Sequence, residues 1–166
     1  EDTASITKIF LADKGNHTVT LEKIKPGEWK VNGKYPARTD AIKSLLYTIK
    51  TIEILSPVGK KAQENVVKNL SSASTKVEIY QGEDLSRVYY VGGETEDQMG
   101  TYMLLADHKT GENSLVPFIM FVPGFNGYLT TRYFTKENDW RERIIFKYVP
   151  TDIKSVNYLK RVIENE

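Results

Sequence analysis

The two histidines of the chain are its first candidates for proton transfer or metal binding, because imidazole can serve as a general base or a ligand. His17 and His108 lie far apart in the sequence, and neither has a second histidine one helical turn away. Both fall at predicted turns or strand edges, where a solitary histidine is usually solvated. The chain has no cysteine, which excludes disulfides, thiol catalysis and thiolate zinc sites.

Carboxylates crowd the turn that is predicted at the Gly92-Gly93 pair, where Glu94, Glu96 and Asp97 follow within five residues. Such groups could perform acid–base chemistry or bind calcium. The calcium-loop pattern is missing, and no Lys-Ser/Thr pair follows the glycines as in a phosphate loop. Ser71–Ser74 is predicted to be a polar linker after a helix and lacks a nucleophile-elbow signature. We therefore predict no catalytic residue, no metal site and no cofactor.

The most unusual stretch lies between residues 123 and 134, where aromatic side chains alternate with glycines beside an arginine. Rigid rings and arginine dominate binding hot spots, and aromatic faces also suit sugars, so a recognition loop is one interpretation. The other is a lid whose rings fold back on the sheet, which is favoured because Phe and Tyr near strand ends are commonly buried. The candidate residues for binding a partner or ligand are Phe125, Asn126, Gly127, Tyr128, Arg132, Tyr133 and Trp140.

The stretch from Trp140 to Phe146 is predicted to form a helical turn capped by Asn138 or Asp139. We expect Trp140 to pack inside, and Arg141 or Arg143 to pair with carboxylates.

Composition indicates an ordered protein with one core. The 166 residues are 40% hydrophobic and 27% charged, as in ordinary globular proteins. Since 23 basic residues balance 22 acidic ones, no global field attracts nucleic acid, and none is expected as a partner. No apolar run is long enough to span a bilayer. Because the chain opens on Glu1-Asp2-Thr3 rather than Met, we expect a trimmed chain whose leader could have carried an anchor.

Apolar alternation in the first third of the chain predicts a three-stranded meander. Strands over 6–12 and 17–23 form a hairpin, and a third over 28–32 follows the Pro26-Gly27 turn. A helix with Thr39 as its N-cap then covers the meander. Its apolar stripe comprises Ile42, Leu45, Leu46, Ile49 and Ile52.

The middle of the chain predicts a second helix over residues 58–70 that packs beside the first. Residues 51–55 either lengthen the first helix or form a short strand. From residue 75 the period returns to strand, giving a second antiparallel sheet or an extension of the first. The strands are expected around residues 77–79, 88–91, 101–106 and 116–122.

Three short stretches resemble one another and suggest duplicated units. They are Thr7-Lys8-Ile9, Thr75-Lys76-Val77 and Ile153-Lys154-Ser155-Val156, spaced by roughly seventy to eighty residues. If the duplication is real, the last stretch is a strand that begins a third unit. Otherwise that strand closes a sheet.

These patterns predict an α+β fold with mainly antiparallel sheet, in one or more sheets built from β-meanders and covered by two helices between residues 39 and 70. A chain of this length is expected to form a single domain over 1–166, or two packed subdomains over 1–70 and 71–166.

Several phrases of the sequence carry a resemblance to a known family. They are the opening residues 2–13, Lys76-Val77-Glu78-Ile79-Tyr80, Gly100-Thr101-Tyr102-Met103, residues 123–129 and residues 140–146. Over most of the chain these resemble uncharacterised bacterial proteins that carry domain of unknown function 4340. The resemblance implies a cell-envelope location, periplasmic or surface-exposed, with a lipidated cysteine or membrane helix ahead of Glu1. It carries no catalytic residues, and some relatives lie beside ABC-type transporters linked to gliding.

Three functions remain open. The first is a noncatalytic envelope domain that binds or scaffolds proteins through exposed strand edges or the 125–133 loop, with envelope proteins or a transporter-associated complex as partners. The second is a carbohydrate or small-ligand binder whose aromatic platform is Tyr128, Tyr133 and Trp140. The third is an enzyme, for which the spacing offers no convergent polar groups. Contact with a membrane is expected only through an anchor outside this chain.

Overall fold

A computed structural model describes residues 2–144 and 148–158. Within these residues nine strands form one antiparallel sheet, which confirms the α+β class. The strands are β1 Ile6–Ala12, β2 Thr18–Lys25, β3 Glu28–Val31, β4 Tyr35–Pro36, β5 Glu53–Pro57, β6 Thr75–Gln81, β7 Asp84–Glu94, β8 Thr101–Ala106 and β9 Phe118–Phe121. The α-helices are α1 Thr39–Thr51, α2 Lys60–Ala73 and the single turn α3 Glu137–Trp140.

Two meanders lie side by side in the sheet and are joined through β1 and β6. The strand order is β4-β3-β2-β1-β6-β7-β8-β9-β5. The predicted hairpin and third strand are confirmed as β1, β2 and β3. The later strands extend this same sheet, because β6 pairs antiparallel with β1 at its centre. Strands from residues 1–70 and strands from the later part of the chain therefore belong to the same sheet.

The register between β1 and β6 is symmetric about one residue pair. Aligning Thr7 with Thr75 shifts the sequence by 75 − 7 = 68 positions, which also aligns Phe10 with Glu78. Those two residues face each other across the ladder, as expected if the two meanders are related by an approximate two-fold axis through this pair. The predicted third-unit strand at Ile153–Val156 is wrong, since residues 153–158 have no regular secondary structure.

Two crossing connections lie on one face of the sheet, which we call the front face. Helix α1 leads from β4 to β5, and β5 pairs with β9 at the far edge. Residues 122–141 return from β9, and Arg141 bridges to Ala37 beside β4. The connection that follows the first meander therefore adds strand β5 beside the second meander. The connection that follows the second meander adds a bridge beside the first. Residues 53–57 form the strand that the sequence left open as one of two alternatives.

The two long helices lie on opposite faces, so the prediction that they pack side by side is wrong. The residues of a strand point alternately to its two faces, and β7 and β8 are apolar on both. Tyr89, Val91 and Met103 pack into the main core on the front face. The back face has its own cluster, formed by Val58, Val66 and Leu70 with Leu104 and the half-buried Tyr90, Tyr102 and Ile119.

Helix boundaries differ from the prediction at two positions. Thr39 is the first helical residue of α1 rather than its cap, and the N-cap is Arg38. Helix α2 continues through Ala73, so the predicted serine linker is its last turn. The Ser71 and Ser72 hydroxyls donate to helix carbonyls three or four residues back, which lets polar residues continue a helix.

Asp13 links the β1–β2 turn to residues 122–141, the connection that leads back from β9 toward β4. Its carboxylate accepts hydrogen bonds from the Thr135 hydroxyl at 2.6 Å and from the backbone N–H of Gly15 and His17. The imidazole of His17 lies 3.0 Å from the same carboxylate. These contacts, the Thr135 bond first, lower the pKa of Asp13 to about 2.

We expect Asp13→Asn to be less stable than the wild type at pH 7, and the difference to shrink as the pH falls from about 4 to about 2. The folded-state pKa is depressed, so the carboxylate stabilises the fold above its unfolded pKa and loses this effect as it protonates. Urea unfolding across pH 2–7 measures the difference. Asp84→Asn, at an exposed position, controls for the lost charge, and a gap that is constant with pH would contradict the assignment.

Candidate functional site

The predicted recognition loop is fastened to the sheet. The Leu129 N–H donates to the Thr101 hydroxyl at 2.7 Å, and the Thr130 hydroxyl donates to the Gly92 carbonyl at 2.7 Å. Leu129 is fully buried. The segment therefore covers the front face as the lid that the sequence favoured.

The first half of this loop divides between packed and exposed residues. Phe125 packs against the main core, and the Arg132 guanidinium lies 4.1 Å from the centre of its ring. Arg132 also donates to the buried Thr48 hydroxyl at 2.7 Å. Asn126 is exposed, while Gly127 and Tyr128 are half-buried. Arg132 therefore has a structural role, because it joins the loop to α1.

Tyr133 and Trp140 are buried, at 3% and 0% exposure, so the three-ring platform predicted with Tyr128 does not form. Tyr133 meets Tyr89 edge-on at 6.1 Å, and burial raises the pKa of Tyr133 to about 12. Trp140 packs edge-on to Phe134 at 5.4 Å and donates its Nε1–H to the Phe134 carbonyl.

The helical turn predicted to start at Trp140, with Asn138 or Asp139 as its cap, is wrong: α3 ends at Trp140, and its N-cap is Lys136. The expected ion pairs are present: Arg141 lies 3.8 Å from Glu137, and Arg143 lies 3.9 Å from Asp139. Residues 145–147 of the predicted helical turn lie outside the described residues.

The carboxylates near the glycine pair do not surround an ion. Gly92 and Gly93 lie inside β7 rather than in a turn, and the turn follows at residues 95–100. There Asp97 accepts bonds from the Thr95 hydroxyl and the Met99 N–H, and the Thr95 bond lowers the pKa of Asp97. Among residues 2–144 and 148–158, no group of three or more His, Asp or Glu side chains is placed to hold a metal ion.

The candidate site is an open apolar groove on the front face, which we call the front groove. It lies between the C-terminal end of α1, strand β5 and strands β7 to β9, and its volume is about 500 Å³. Pockets of this size accommodate drug-sized ligands or inserted side chains. Its lining comprises Ile49, Lys50, Ile52, Glu53, Ile54, Ile79, Arg87, Tyr89, Met103, Leu105, Phe118 and Met120.

The groove leaves apolar side chains in contact with water. Ile54 is 53% exposed and Leu105 is 42% exposed, although both lie in strands of the central sheet. Ionisable side chains of both signs, Lys50, Glu53 and Arg87, also line the groove. An apolar centre with a polar margin is the usual anatomy of a protein-binding surface.

Sequence reasoning missed this groove because it forms between residues that are distant along the chain. Glu53 pairs with Phe121, and Ile54 pairs with Met120, and neither pairing has a local signal. The one available signal was Ile54-Leu55, two apolar residues in a stretch whose secondary structure the spacing left undecided.

A scan of family models and searches of curated proteins and of solved structures found no match to this chain. Within the described residues, no helix combines the length and apolarity required to cross a bilayer.

Proposed function

We propose that this chain is a noncatalytic cell-envelope domain that binds a partner protein through the front groove. The single observation that carries the proposal is the exposure of Ile54 and Leu105 around an apolar groove of about 500 Å³. Contiguous exposed apolar surface that is rimmed by polar residues marks interaction sites or ligand-binding grooves.

The occupant that fits is a short partner segment with two or three apolar side chains, bordered by charges. Lys50 offers positive charge to such borders and Glu53 offers negative charge, so charge complementarity can fix the orientation of the segment. The apolar side chains would lie against Met103 and Met120, whose flexible thioethers adapt to varied shapes.

Strand addition at the sheet edges is disfavoured as the binding mode. Edge strand β5 is irregular between Ile54 and Ser56 and ends at Pro57, which has no N–H to donate. At the other edge, β4 is two residues long, ends at Pro36 and is covered by residues 141–142. Bulges, prolines and covers are devices that keep sheet edges from pairing.

The envelope location and the partner class rest on the family resemblance. We propose envelope proteins or a transporter-associated complex as partners, with any membrane attachment supplied by an anchor outside this chain. Subcellular fractionation of the native protein tests the location, and recovery in the cytosol would contradict it.

Leu105→Glu is expected to weaken binding of a groove-directed peptide at least tenfold without unfolding the domain. The new carboxylate would be desolvated in the groove by any apolar occupant. Peptides selected from a random display library on the wild-type domain serve as probes, and affinity is measured by fluorescence anisotropy. Leu115→Glu is the matched control, because Leu115 is 95% exposed outside the groove.

Two outcomes would contradict the proposal. One is a selection that yields no apolar peptides from the library. The other is equal affinity of Leu105→Glu and the wild type for the peptide, when both proteins unfold cooperatively.

A further inference from the structure

We propose a second binding site, for a neutral sugar ring, in a polar cleft on the back face that is separate from the front groove. This back cleft lies between helix α2 and the end of β7, with a volume of about 500 Å³. It continues into a neighbouring recess of about 250 Å³. Asn69, Gly93, Glu94 and Tyr102 line both parts, so they form one continuous surface.

The walls of the back cleft bring amides, carboxylates and a ring together. Asn65 and Asn69 are one helical turn apart and line the α2 side. Glu94 and Glu96 also line the cleft, together with the half-buried Tyr102 of β8. Tyr102 packs against the Val58, Val66 and Leu70 cluster, which holds its ring in place before any ligand binds.

These groups match the chemistry of a sugar. A sugar hydroxyl both donates and accepts hydrogen bonds, an asparagine amide does the same, and a carboxylate accepts from hydroxyls. The Tyr102 ring offers an apolar surface with a polar tip, which suits the C–H face of a pyranose. Pockets commonly combine such a surface with a few polar groups that fix the orientation of the ligand.

The charge of the back cleft selects against other ligand classes. None of the described residues that line it is basic, and Glu94 and Glu96 both carry negative charge. Phosphates and acidic sugars are therefore repelled. An apolar ligand would bury the Asn65 and Asn69 amides without partners, which costs binding free energy.

Gly93 leaves the main chain that lines the back cleft accessible to a ligand. A Cβ added to Gly93 would meet no atom within 4 Å, and its φ is not in the left-handed region. Gly93 lies where the pairing of β7 with β8 is irregular, between Val91 and Glu94, and the space beside it is open, in contrast to the packed position of its neighbour Gly92. A glycine inside a strand often marks a bulge or a place where a ligand comes close to the main chain, and bulges are frequent beside functional sites.

The test is titration of the folded domain with neutral saccharides by isothermal calorimetry, after a screen of glucose, galactose, mannose and N-acetylglucosamine disaccharides. Gly93→Val fills the cleft while placing a good strand former in β7, and Asn69→Ala removes one exposed amide. Both are expected to lower the affinity for the bound disaccharide at least tenfold. Lys68→Ala, on the exposed surface of α2, should bind as the wild type does.

Further measurements distinguish binding in the back cleft from binding in the front groove, and neutral sugars from other ligand classes. Leu105→Glu should retain full saccharide affinity, so the two sites fail independently. The proposal is overturned if no disaccharide binds at millimolar concentration, or if Gly93→Val, shown to be folded by its cooperative melting, binds as well as the wild type. Binding of putrescine or sialic acid without any neutral saccharide would also overturn it.

Discussion

Trp140→Ala is expected to lower the free energy of unfolding by about 3–5 kcal/mol, the largest effect among single truncations of the loop aromatics. Trp140 has no exposed surface, its ring packs on Phe134 at 5.4 Å and its Nε1–H donates to the Phe134 carbonyl at 2.9 Å. Removal leaves a cavity and an unpaired carbonyl together. Urea unfolding followed by circular dichroism measures the loss.

The position of Trp140 explains why the effect should spread beyond its own turn. The Trp140 carbonyl accepts a bond from the Arg38 N–H at 2.7 Å, and Arg141 bridges to Ala37. The residue therefore holds the returning connection against the start of α1. Loss of its packing should loosen both crossing connections on the front face.

Trp140→Phe is the matched control, since it keeps a ring and loses only the indole hydrogen bond and part of the volume. We expect a loss of roughly 1–2 kcal/mol for this variant. A loss below about 1 kcal/mol for Trp140→Ala, with a weakened saccharide affinity, would instead restore Trp140 as a ligand-contacting ring.

The elements with local periodicity could be predicted from the sequence. Strands β1 to β3 alternate apolar and polar residues, and the apolar residues of α1 recur at helical spacing. This periodicity indicates which face of each element is buried. Helix boundaries were less accurate because Ser71 and Ser72 resemble linker residues until their hydroxyls find helix carbonyls. Such local bonds depend on a conformation that composition does not reveal.

The face on which each helix packs could not be predicted. Val88, Tyr89, Tyr90 and Val91 are all apolar, so β7 can be covered on both faces, and the pattern does not say by which helix. That choice depends on the crossing of α1 to β5 and on the pairing of β5 with β9. Both are long-range contacts without a signature in one short segment.

The candidate sites show the same division between local and distant information. The aromatic loop was noticeable by composition, yet Tyr133 and Trp140 are buried by contacts with Tyr89 and with residues 37–38 that lie far away in sequence. The Gly92-Gly93 pair was also noticed, but it was interpreted as a turn. Its position inside β7, beneath α2, gives the two glycines different roles.

Gly92→Ala is expected to destabilise the fold by about 1–3 kcal/mol, because helix α2 packs directly on this residue. A Cβ at Gly92 would lie 2.6 Å from Leu70 Cδ2 and 3.1 Å from the Tyr102 carbonyl oxygen. The Leu70 side chain can rotate away, but it is buried in the back-face cluster, so any new rotamer displaces its neighbours. The carbonyl belongs to the β8 backbone and moves less easily.

Gly93→Ala is the matched control one residue along the same strand. Its Cβ would meet no atom within 4 Å, and loss of a glycine from the unfolded ensemble favours the folded state by about 0.4–1 kcal/mol. Urea unfolding of the two variants should therefore give shifts of opposite sign. Equal effects would mean that α2 does not press on β7 at Gly92, and the separation of a packing glycine from a ligand-facing glycine would then fail.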